Sequence, residues 1–255
     1  MDKEKYKEYE SLLLERDTLL HEAGSYSTAY MKEFGEEIVA VFEKKIECIK
    51  KKKSIAFCQM KINRGEKVDS SELENYIKDA MSDYAENLKQ LIADNKRAAD
   101  ADACGQADVL KSKRIYRKIA KLIHPDINPA LFENDNIREL WERVRKAYSK
   151  NDADELESLE FLICSLLEDM GIDSEMPEIE DIDDKIENLK NDINEIVTTD
   201  PYLYGELLSD AELVEEKHAE LAKELEEHTA YSRELDEVLE RLLGTGMVIS
   251  WEMKL

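Results

Sequence analysis

The sequence has few residues that break helices and few that form cross-links. Its 255 residues include eight glycines, four prolines and four cysteines, while charged residues make up 38% of the chain. This balance favours long helices. The cysteines are widely spaced and form no CxxC pair, which argues against a zinc site or a disulfide framework. We expect free thiols packed as small apolar side chains, and no metal site.

Long hydrophobic runs are missing as well. The longest apolar runs, such as Ile38 to Phe42, fall far short of the roughly 20 residues that a membrane-spanning helix needs. The N-terminus, Met-Asp-Lys-Glu-Lys, is not followed by an apolar segment typical of a secretory signal. Gly-rich phosphate loops and the HExxH and GxSxG motifs are also absent. The sequence therefore predicts a cytoplasmic protein that is not an enzyme, needs no cofactor and does not bind membranes.

Negative charge is concentrated in one part of the chain. Residues 1–150 contain 29 Lys and Arg against 28 Asp and Glu, whereas residues 151–255 contain 7 against 32. Nucleic-acid binding needs a positive surface, so this distribution argues against a nucleic-acid partner. It also suggests that the acidic C-terminal arm folds back on the basic helix at residues 111–121 and competes with a partner of that helix.

Apolar residues at helical spacing predict a helical bundle or coiled coil over residues 1–100. One helix is expected from Lys3 to Glu22, with a break at Gly24 and Ser25, and a second from about Tyr26 to Lys61. His21 would then lie near a helix end, as a favourable C-terminal charge. After Gly65, Asp69 is predicted to cap one further helix that continues to about Leu91.

The acidic region 151–255 is also predicted to be helical or coiled coil. We expect a helix from Asp154 to Asp169, an extended connection over residues 172–184, and a helix start with Asp200 as N-cap and Pro201 at the first position. A last helix from about Ser209 to Leu243 has a seam that alternates steps of four and three. The seam comprises Val214, His218, Leu221, Leu225, His228, Ser232, Leu235, Leu239 and Leu242. It could pair within one chain or between two chains of a homo-oligomer. The two seam histidines are interpreted as structural.

The most informative segment lies between these regions, over residues 101–150. Six basic residues without an acidic residue among them occupy positions 111 to 121: Lys111, Lys113, Arg114, Arg117, Lys118 and Lys121. Apolar residues recur beside them at helical spacing, so this helix needs a negative partner or water on its cationic face. Pro125 ends the helix at His124, which places His124, Pro125 and Asp126 at an exposed turn. A second amphipathic helix is expected from Asn134 or Asp135 to Ser149.

This segment resembles a DnaJ-type J-domain. Residues 115–126, Ile-Tyr-Arg-Lys-Ile-Ala-Lys-Leu-Ile-His-Pro-Asp, are similar to its second helix and His-Pro-Asp turn. Residues 140–148, Leu-Trp-Glu-Arg-Val-Arg-Lys-Ala-Tyr, are similar to its third helix, with Trp141 where phenylalanine is usual. The resemblance implies an all-α fold in which long-helix arms flank an internal J-domain hairpin.

The resemblance also implies a function. In J-domain co-chaperones the turn and the cations of the second helix contact a DnaK-type, 70-kDa heat-shock chaperone and stimulate its ATP hydrolysis on an unfolded or specific client. By this resemblance His124, Pro125 and Asp126 are the trigger. The docking cations are Lys113, Arg114, Arg117, Lys118 and Lys121.

The segment departs from the family pattern in several ways. The usual short first helix is not recognisable in residues 98–110, although Asp100 to Gly105 could form a poor version and a flanking helix could replace it. No Gly/Phe-rich segment or zinc-finger repeat follows, which is typical of a minimal J-protein. The alternative is a coiled-coil scaffold with a degenerate J-like hairpin that recruits no chaperone.

Overall fold

All regular structure in the described part of the chain is helical. The computed structural model describes residues 3–100, 105–171 and 181–243. Its helices are α1 (Lys3–Asn63), α2 (Ser70–Ala80), α3 (Ser82–Ala99), α4 (Gln106–Ile123), α5 (Asp135–Ser149), α6 (Ala153–Asp169), α7 (Ile182–Thr198), α8 (Tyr204–Ser209) and α9 (Ala211–Leu243), with a 3-10 turn over Leu131–Glu133. The predicted all-α fold is confirmed. Within the described ranges, no helix combines the length and apolar character needed to cross a bilayer.

The first helix is continuous, so the predicted break at Gly24 and Ser25 is wrong. α1 extends over 61 residues, and His21 therefore lies well inside a helix and not near its end. A glycine within a helix costs only about 1 kcal/mol relative to alanine. Packing on both sides of Gly24 outweighs that cost, since α1 has buried residues before and after it, including Leu13 and Phe34.

Several helix ends agree with the sequence. α1 ends at Asn63, before Gly65 with its positive φ of 70°, and the Asp69 side chain accepts a hydrogen bond from the Glu72 N–H at 3.0 Å.

Two other helix boundaries differ from the prediction. The expected single helix after Asp69 is divided at Met81. The predicted start at Pro201 is also wrong, because α8 begins at Tyr204. The C-terminal tail after Leu243 lies outside the described residues.

The chain divides into two compact units, each formed from two separate segments. Unit 1 contains residues 1–27 and 102–205, and unit 2 contains residues 28–101 and 206–255. The sequence suggested regions in chain order, 1–100, 101–150 and 151–255. The compact units instead combine distant parts of the chain, and α1 contributes to both.

Unit 1 is built around a three-helix core. Apolar side chains of α4, α5 and α6 form it, with Ile119, Ile137, Val144 and Leu159 fully buried. Among the described residues, Leu14 is the α1 member of this core. A second cluster joins α1 to α7 and comprises Tyr6, Tyr9, Leu13, Ile127, Ile186 and Leu189.

Unit 2 packs the rest of α1 against α2, α3 and α9. Phe34 and Val41 of α1 pack with Leu221 of α9, and the Cys48 thiol donates to the His228 carbonyl oxygen at 3.2 Å. The predicted seam of α9 thus faces α1 of the same chain. Lys51 Nζ contacts Asp236 Oδ2 at 2.7 Å and is almost fully buried. In a sequence run of four lysines, Lys50 to Lys53, solvated side chains are the ordinary expectation, and Lys51 departs from it.

Candidate functional site

The two helices with the J-domain resemblance form an antiparallel hairpin. Tyr116, in the middle of α4, stacks on Tyr148 near the end of α5, with ring centroids 4.0 Å apart. The His124 ring, just after α4, contacts the Trp141 ring in the first half of α5 edge to face, with ring centroids 4.9 Å apart and ring planes at 78°. The end of α4 therefore lies beside the first half of α5. α6 packs across both helices and covers the apolar face of the hairpin.

The turn after α4 is held by local hydrogen bonds. His124 has extended backbone angles, φ −61° and ψ 132°, which end the helix before Pro125. The Asn128 side chain donates to the carbonyl oxygens of Lys121 and Leu122 at 3.1 and 2.9 Å, which satisfies two of the last carbonyl groups of α4. The predicted helix end is thus correct, and Asn128 is a capping residue that the sequence reasoning missed.

The expectation that His124 projects into solvent is wrong for this structure. Its exposed fraction is 4%, because α1 covers the turn. His124 Nε2 lies 3.2 Å from Asp17 Oδ2, and Nδ1 accepts a hydrogen bond from the Asp126 N–H at 3.1 Å. Since Nδ1 accepts, the ring proton lies on Nε2 and is donated to Asp17. Pro125 is half-buried, and Asp126 is exposed.

Asp17 is the centre of the polar contacts at the turn. Besides His124, its carboxylate accepts from the Tyr116 hydroxyl at 2.7 Å and from Arg16 Nη2 at 3.0 Å. Burial alone would raise the pKa of Asp17, but hydrogen bonds from His124, Tyr116 and Arg16 outweigh it, so the pKa lies below its usual range. Burial and the nearby Asp17 charge raise the pKa of Tyr116. The second carboxylate of the turn, on Asp126, lies 3.8 Å from Arg16.

One face of α4 points towards α1. Lys113, Arg117 and Lys121 are spaced by four residues and so share this face. Lys113 Nζ contacts Glu22 Oε1 at 2.8 Å, Arg117 Nη2 donates to Thr18 Oγ1 at 3.2 Å, and Lys121 pairs with Glu10. Carboxylates of α1 therefore neutralise two of these cations.

The adjacent face of α4 points towards α6 and solvent. Lys111 lies 3.1 Å from Glu157, and Lys118 lies 3.0 Å from Glu160. Two acidic residues of α6 therefore contact the basic helix, while the expected competition of the C-terminal arm with a partner stays a prediction. Arg114 is exposed and makes no ion pair with the residues that the structure describes.

Two grooves flank α1 where it crosses the hairpin. One, of ≈ 640 Å³, is lined by Lys113, Arg117 and Lys121 on the α4 side and by residues of α1 that include Glu10 and Glu22. The other, of ≈ 650 Å³, is lined by all three residues of the His-Pro-Asp turn, together with basic residues of α5, Arg145 and Lys146. Both grooves are mixed in charge, because carboxylates of α1 line the first beside its cations, and Asp17, Asp126 and Glu142 line the second.

Sequence reasoning missed the α1 residues of the site: Glu10, Arg16, Asp17 and Glu22. They lie about a hundred residues before their partners, and nothing local distinguishes them from other charged residues of an amphipathic helix. The poor first helix expected over Asp100 to Gly105 falls largely outside the described residues. In the described part of the chain, no cluster of three or more His, Cys, Asp or Glu side chains could hold a metal ion.

Comparisons with known proteins give no relative: no family model, no curated protein and no solved structure matches the chain.

Proposed function

We propose that the protein is a minimal J-domain co-chaperone that binds a DnaK-type chaperone and stimulates its ATP hydrolysis. The observation that carries this proposal is the order of parts in the hairpin. A helix with six basic residues ends directly at His124-Pro125-Asp126, and a returning helix packs the turn through Trp141. Nothing in the general packing of three helices requires that combination of a cationic helix and a stiff polar turn.

The charges at the hairpin suit a negative protein partner. Arg114 is exposed, and Asp126 lines an open groove with Arg145 and Lys146. The ion pairs of Lys118 and Lys121 are more than half exposed on the lysine side, so each contributes only about 0 to 1 kcal/mol and can be exchanged for a partner's carboxylate. In this proposal the protein acts in the cytoplasm, and unit 2 recognises a client or a location.

A second function is favoured by the burial of His124. With 4% exposure and a hydrogen bond to Asp17, this histidine also suits a purely structural corner. The protein would then be a helical scaffold whose J-like hairpin recruits no chaperone. The two functions differ in one measurable property, the ATP turnover of a DnaK-type chaperone mixed with this protein.

The deciding experiment is single-turnover ATP hydrolysis by a DnaK-type chaperone with the full chain and its His124→Gln variant. A co-chaperone should accelerate hydrolysis, and His124→Gln should remove the acceleration. Because the variant also weakens the contact with Asp17, it should lose about 1 kcal/mol of folding free energy. His21→Gln is the matched control, since it changes a second histidine that lines the same groove but does not belong to the His-Pro-Asp turn; its ring stacks on Tyr148 with centroids 4.0 Å apart.

The outcomes separate the two functions. Acceleration by the wild type and by His21→Gln, but not by His124→Gln, supports the co-chaperone. An unchanged rate with every chain supports the scaffold. Binding of the co-chaperone should also weaken as salt is raised to about 0.5 M, where the Debye length falls to about 4 Å. Salt-independent acceleration would contradict docking through the cations of α4.

A further inference from the structure

The N-terminal segment of α1, residues 3–27, places three carboxylates on the proposed docking surface. Glu10 pairs with Lys121, Asp17 accepts from His124 at 3.2 Å, and Glu22 contacts Lys113 at 2.8 Å. Each of these three partners belongs to the residues proposed to contact the chaperone. A negative partner would have to contact the same three side chains, and the carboxylates of the segment already occupy them.

This contact depends on charge more than on apolar packing. The hairpin and α6 form a core to which α1 contributes one described residue, Leu14. The larger apolar residues of the segment, Tyr6, Tyr9 and Leu13, pack instead with Ile186 and Leu189 of α7 and with Ile127. The segment therefore contributes one described side chain to the core of the hairpin and α6, and its main apolar attachment is to α7 and Ile127.

The outer side of the segment is held by weaker polar contacts. Lys5 lies 2.6 Å from Asp183, and Glu8 lies 2.7 Å from Lys190, and all four side chains are largely exposed. Exposed ion pairs of this kind hold a helix in register but contribute little stability. The segment is thus held against α7 by the apolar cluster and by exposed ion pairs, of which the ion pairs can be exchanged one at a time.

We propose that residues 3–27 are a built-in competitor for the acidic partner of α4, so that the His-Pro-Asp turn is closed until the segment is displaced. This inference rests on the proposed co-chaperone function and adds its regulation. The segment mimics the partner's negative surface, and the partner binds only the fraction of molecules in which the turn is uncovered. Its apparent affinity is lower than its intrinsic affinity by that fraction.

The test compares ATP turnover by a DnaK-type chaperone over a range of concentrations of full-length variants. Glu10→Gln with Glu22→Gln removes two competing charges and leaves Lys121 and Lys113 without those partners. The half-maximal concentration should fall about fivefold to tenfold, as expected for the loss of two partly buried ion pairs. Glu15→Gln is the matched control, because Glu15 is exposed on the same helix and makes no ion pair with the described residues.

A second variant releases the segment without changing any charge. Leu189→Ala weakens the apolar contact of α7 with Tyr6 and Tyr9, and it should lower the half-maximal concentration in the same direction. The reactivity of Lys113 and Lys121 towards an acylating reagent, read by mass spectrometry, should rise in both variants and not in Glu15→Gln. This second readout needs no chaperone. Helical content measured by circular dichroism confirms that each variant is folded.

The outcomes distinguish this inference from the proposed function. A lower half-maximal concentration with both release variants, abolished when His124→Gln is added, supports both. If the wild type stimulates hydrolysis and neither release variant improves it or raises the lysine reactivity, the competitor is ruled out and the co-chaperone remains. If no chain stimulates hydrolysis, the proposed function fails, and the regulation that rests on it fails with it.

Discussion

The two compact units use opposite charges of the same helix. In unit 1, α1 supplies the carboxylates of Glu10, Asp17 and Glu22 to cations and a histidine of the hairpin. In unit 2, its most buried charge is the cation of Lys51, which contacts Asp236 of α9 and Glu47 of its own helix. One amphipathic helix therefore complements a basic surface at one end and an acidic helix further along.

The difference shows why net charge by region was a limited guide. The acidic excess of residues 151–255 suggested that the C-terminal arm folds back on the basic helix and competes with its partner. Glu157 and Glu160 of α6 do contact Lys111 and Lys118, and the competition stays a prediction. The carboxylates of α1 that contact His124 and the cations of α4, however, come from residues 1–150, which are nearly neutral in total. Local pairing depends on which residues share a helix face, and regional totals do not contain that information.

The largest effect is expected for Lys51→Met, which breaks the charge contact of unit 2. It leaves the Asp236 carboxylate without its cation and leaves Glu47 with Lys44 alone, and since both carboxylates are partly exposed the loss should be about 2 to 3 kcal/mol. Urea unfolding followed by circular dichroism measures it. Lys45→Met, an equal charge change at an exposed position of the same helix, should cost less than about 0.5 kcal/mol. Equal losses in the two variants would show that the contact of Lys51 contributes nothing specific.

The contact of Lys51 with Glu47 also predicts that the free energy of unfolding falls at acid pH. Burial would raise the pKa of Glu47, but hydrogen bonds from Lys44, Lys51 and Ser232 lower it to about 2. A lowered folded pKa means that the contribution is complete above the unfolded value of 4.5 and is lost as pH falls towards about 2. Lys51→Met should therefore lose less stability than the wild type over that range. Unfolding midpoints measured at several pH values provide the test.

The corresponding change in unit 1 is Asp17→Asn, with an expected loss of about 1 to 2 kcal/mol. An amide accepts more weakly than a carboxylate from Tyr116, Arg16 and His124, so charge-assisted hydrogen bonds are lost. Thermal unfolding of this variant, set beside Lys51→Met, compares the two ends of α1 directly. A cost as large as that of Lys51→Met would indicate that α1 holds the hairpin as strongly as it holds α9. That result would contradict the proposal that residues 3–27 can be displaced.

Two glycines of α1, one in each unit, should respond in opposite directions to alanine. A Cβ at Gly24 has no heavy atom within 4 Å, so Gly24→Ala should stabilise by about 0.5 to 1 kcal/mol. A Cβ at Gly35 would lie 2.1 Å from Asn95 Oδ1 and 2.7 Å from its Cγ. Displacing Asn95 should offset the gain and leave Gly35→Ala destabilised by about 1 kcal/mol. Urea midpoints of the two variants should fall on either side of the wild type.

The smallest effect concerns His218 of unit 2. A hydrogen bond with Glu37 at 2.8 Å, together with Glu33, raises the pKa of His218 against the effect of burial. A raised folded pKa means that its contribution is complete below the unfolded value of 6.5 and is lost as pH rises through the folded value. The protein should be slightly more stable near pH 6 than near pH 8.5, and His218→Gln should remove the difference. A difference that persists in the variant would assign it to another group.

Much of the fold follows from the sequence, because helix ends depend on local residues. Asp69, Gly65 and Pro125 mark boundaries that the structure reproduces. The missed elements have a different cause. The continuity of α1 through Gly24 depends on packing at both sides of that residue, which no local pattern contains.

The candidate site was predicted in part. The hairpin, its antiparallel course and its turn follow from residues 111–148, and so does the face that Lys113 shares with Lys121. The cover over His124 could not be predicted, because it depends on a contact between residues 17 and 124 at a separation that no helical period encodes. The chain has many charged helix faces of similar composition. Its sequence does not show that the acidic face of α1 packs on the basic face of α4.

The discontinuous make-up of unit 2 has a consequence for synthesis on the ribosome. Lys51 donates hydrogen bonds to Ser232 and Asp236 of α9. The ribosome therefore translates about 180 further residues after the second half of α1 before it makes this partner helix. At about 5 to 20 residues per second this is a delay of roughly 10 to 40 s. During that interval residues 102–205 of unit 1 are translated, including α4 to α7. We therefore expect the hairpin to mature first, while the apolar face around Phe34 and Val41 stays uncovered and open to chaperones until α9 emerges.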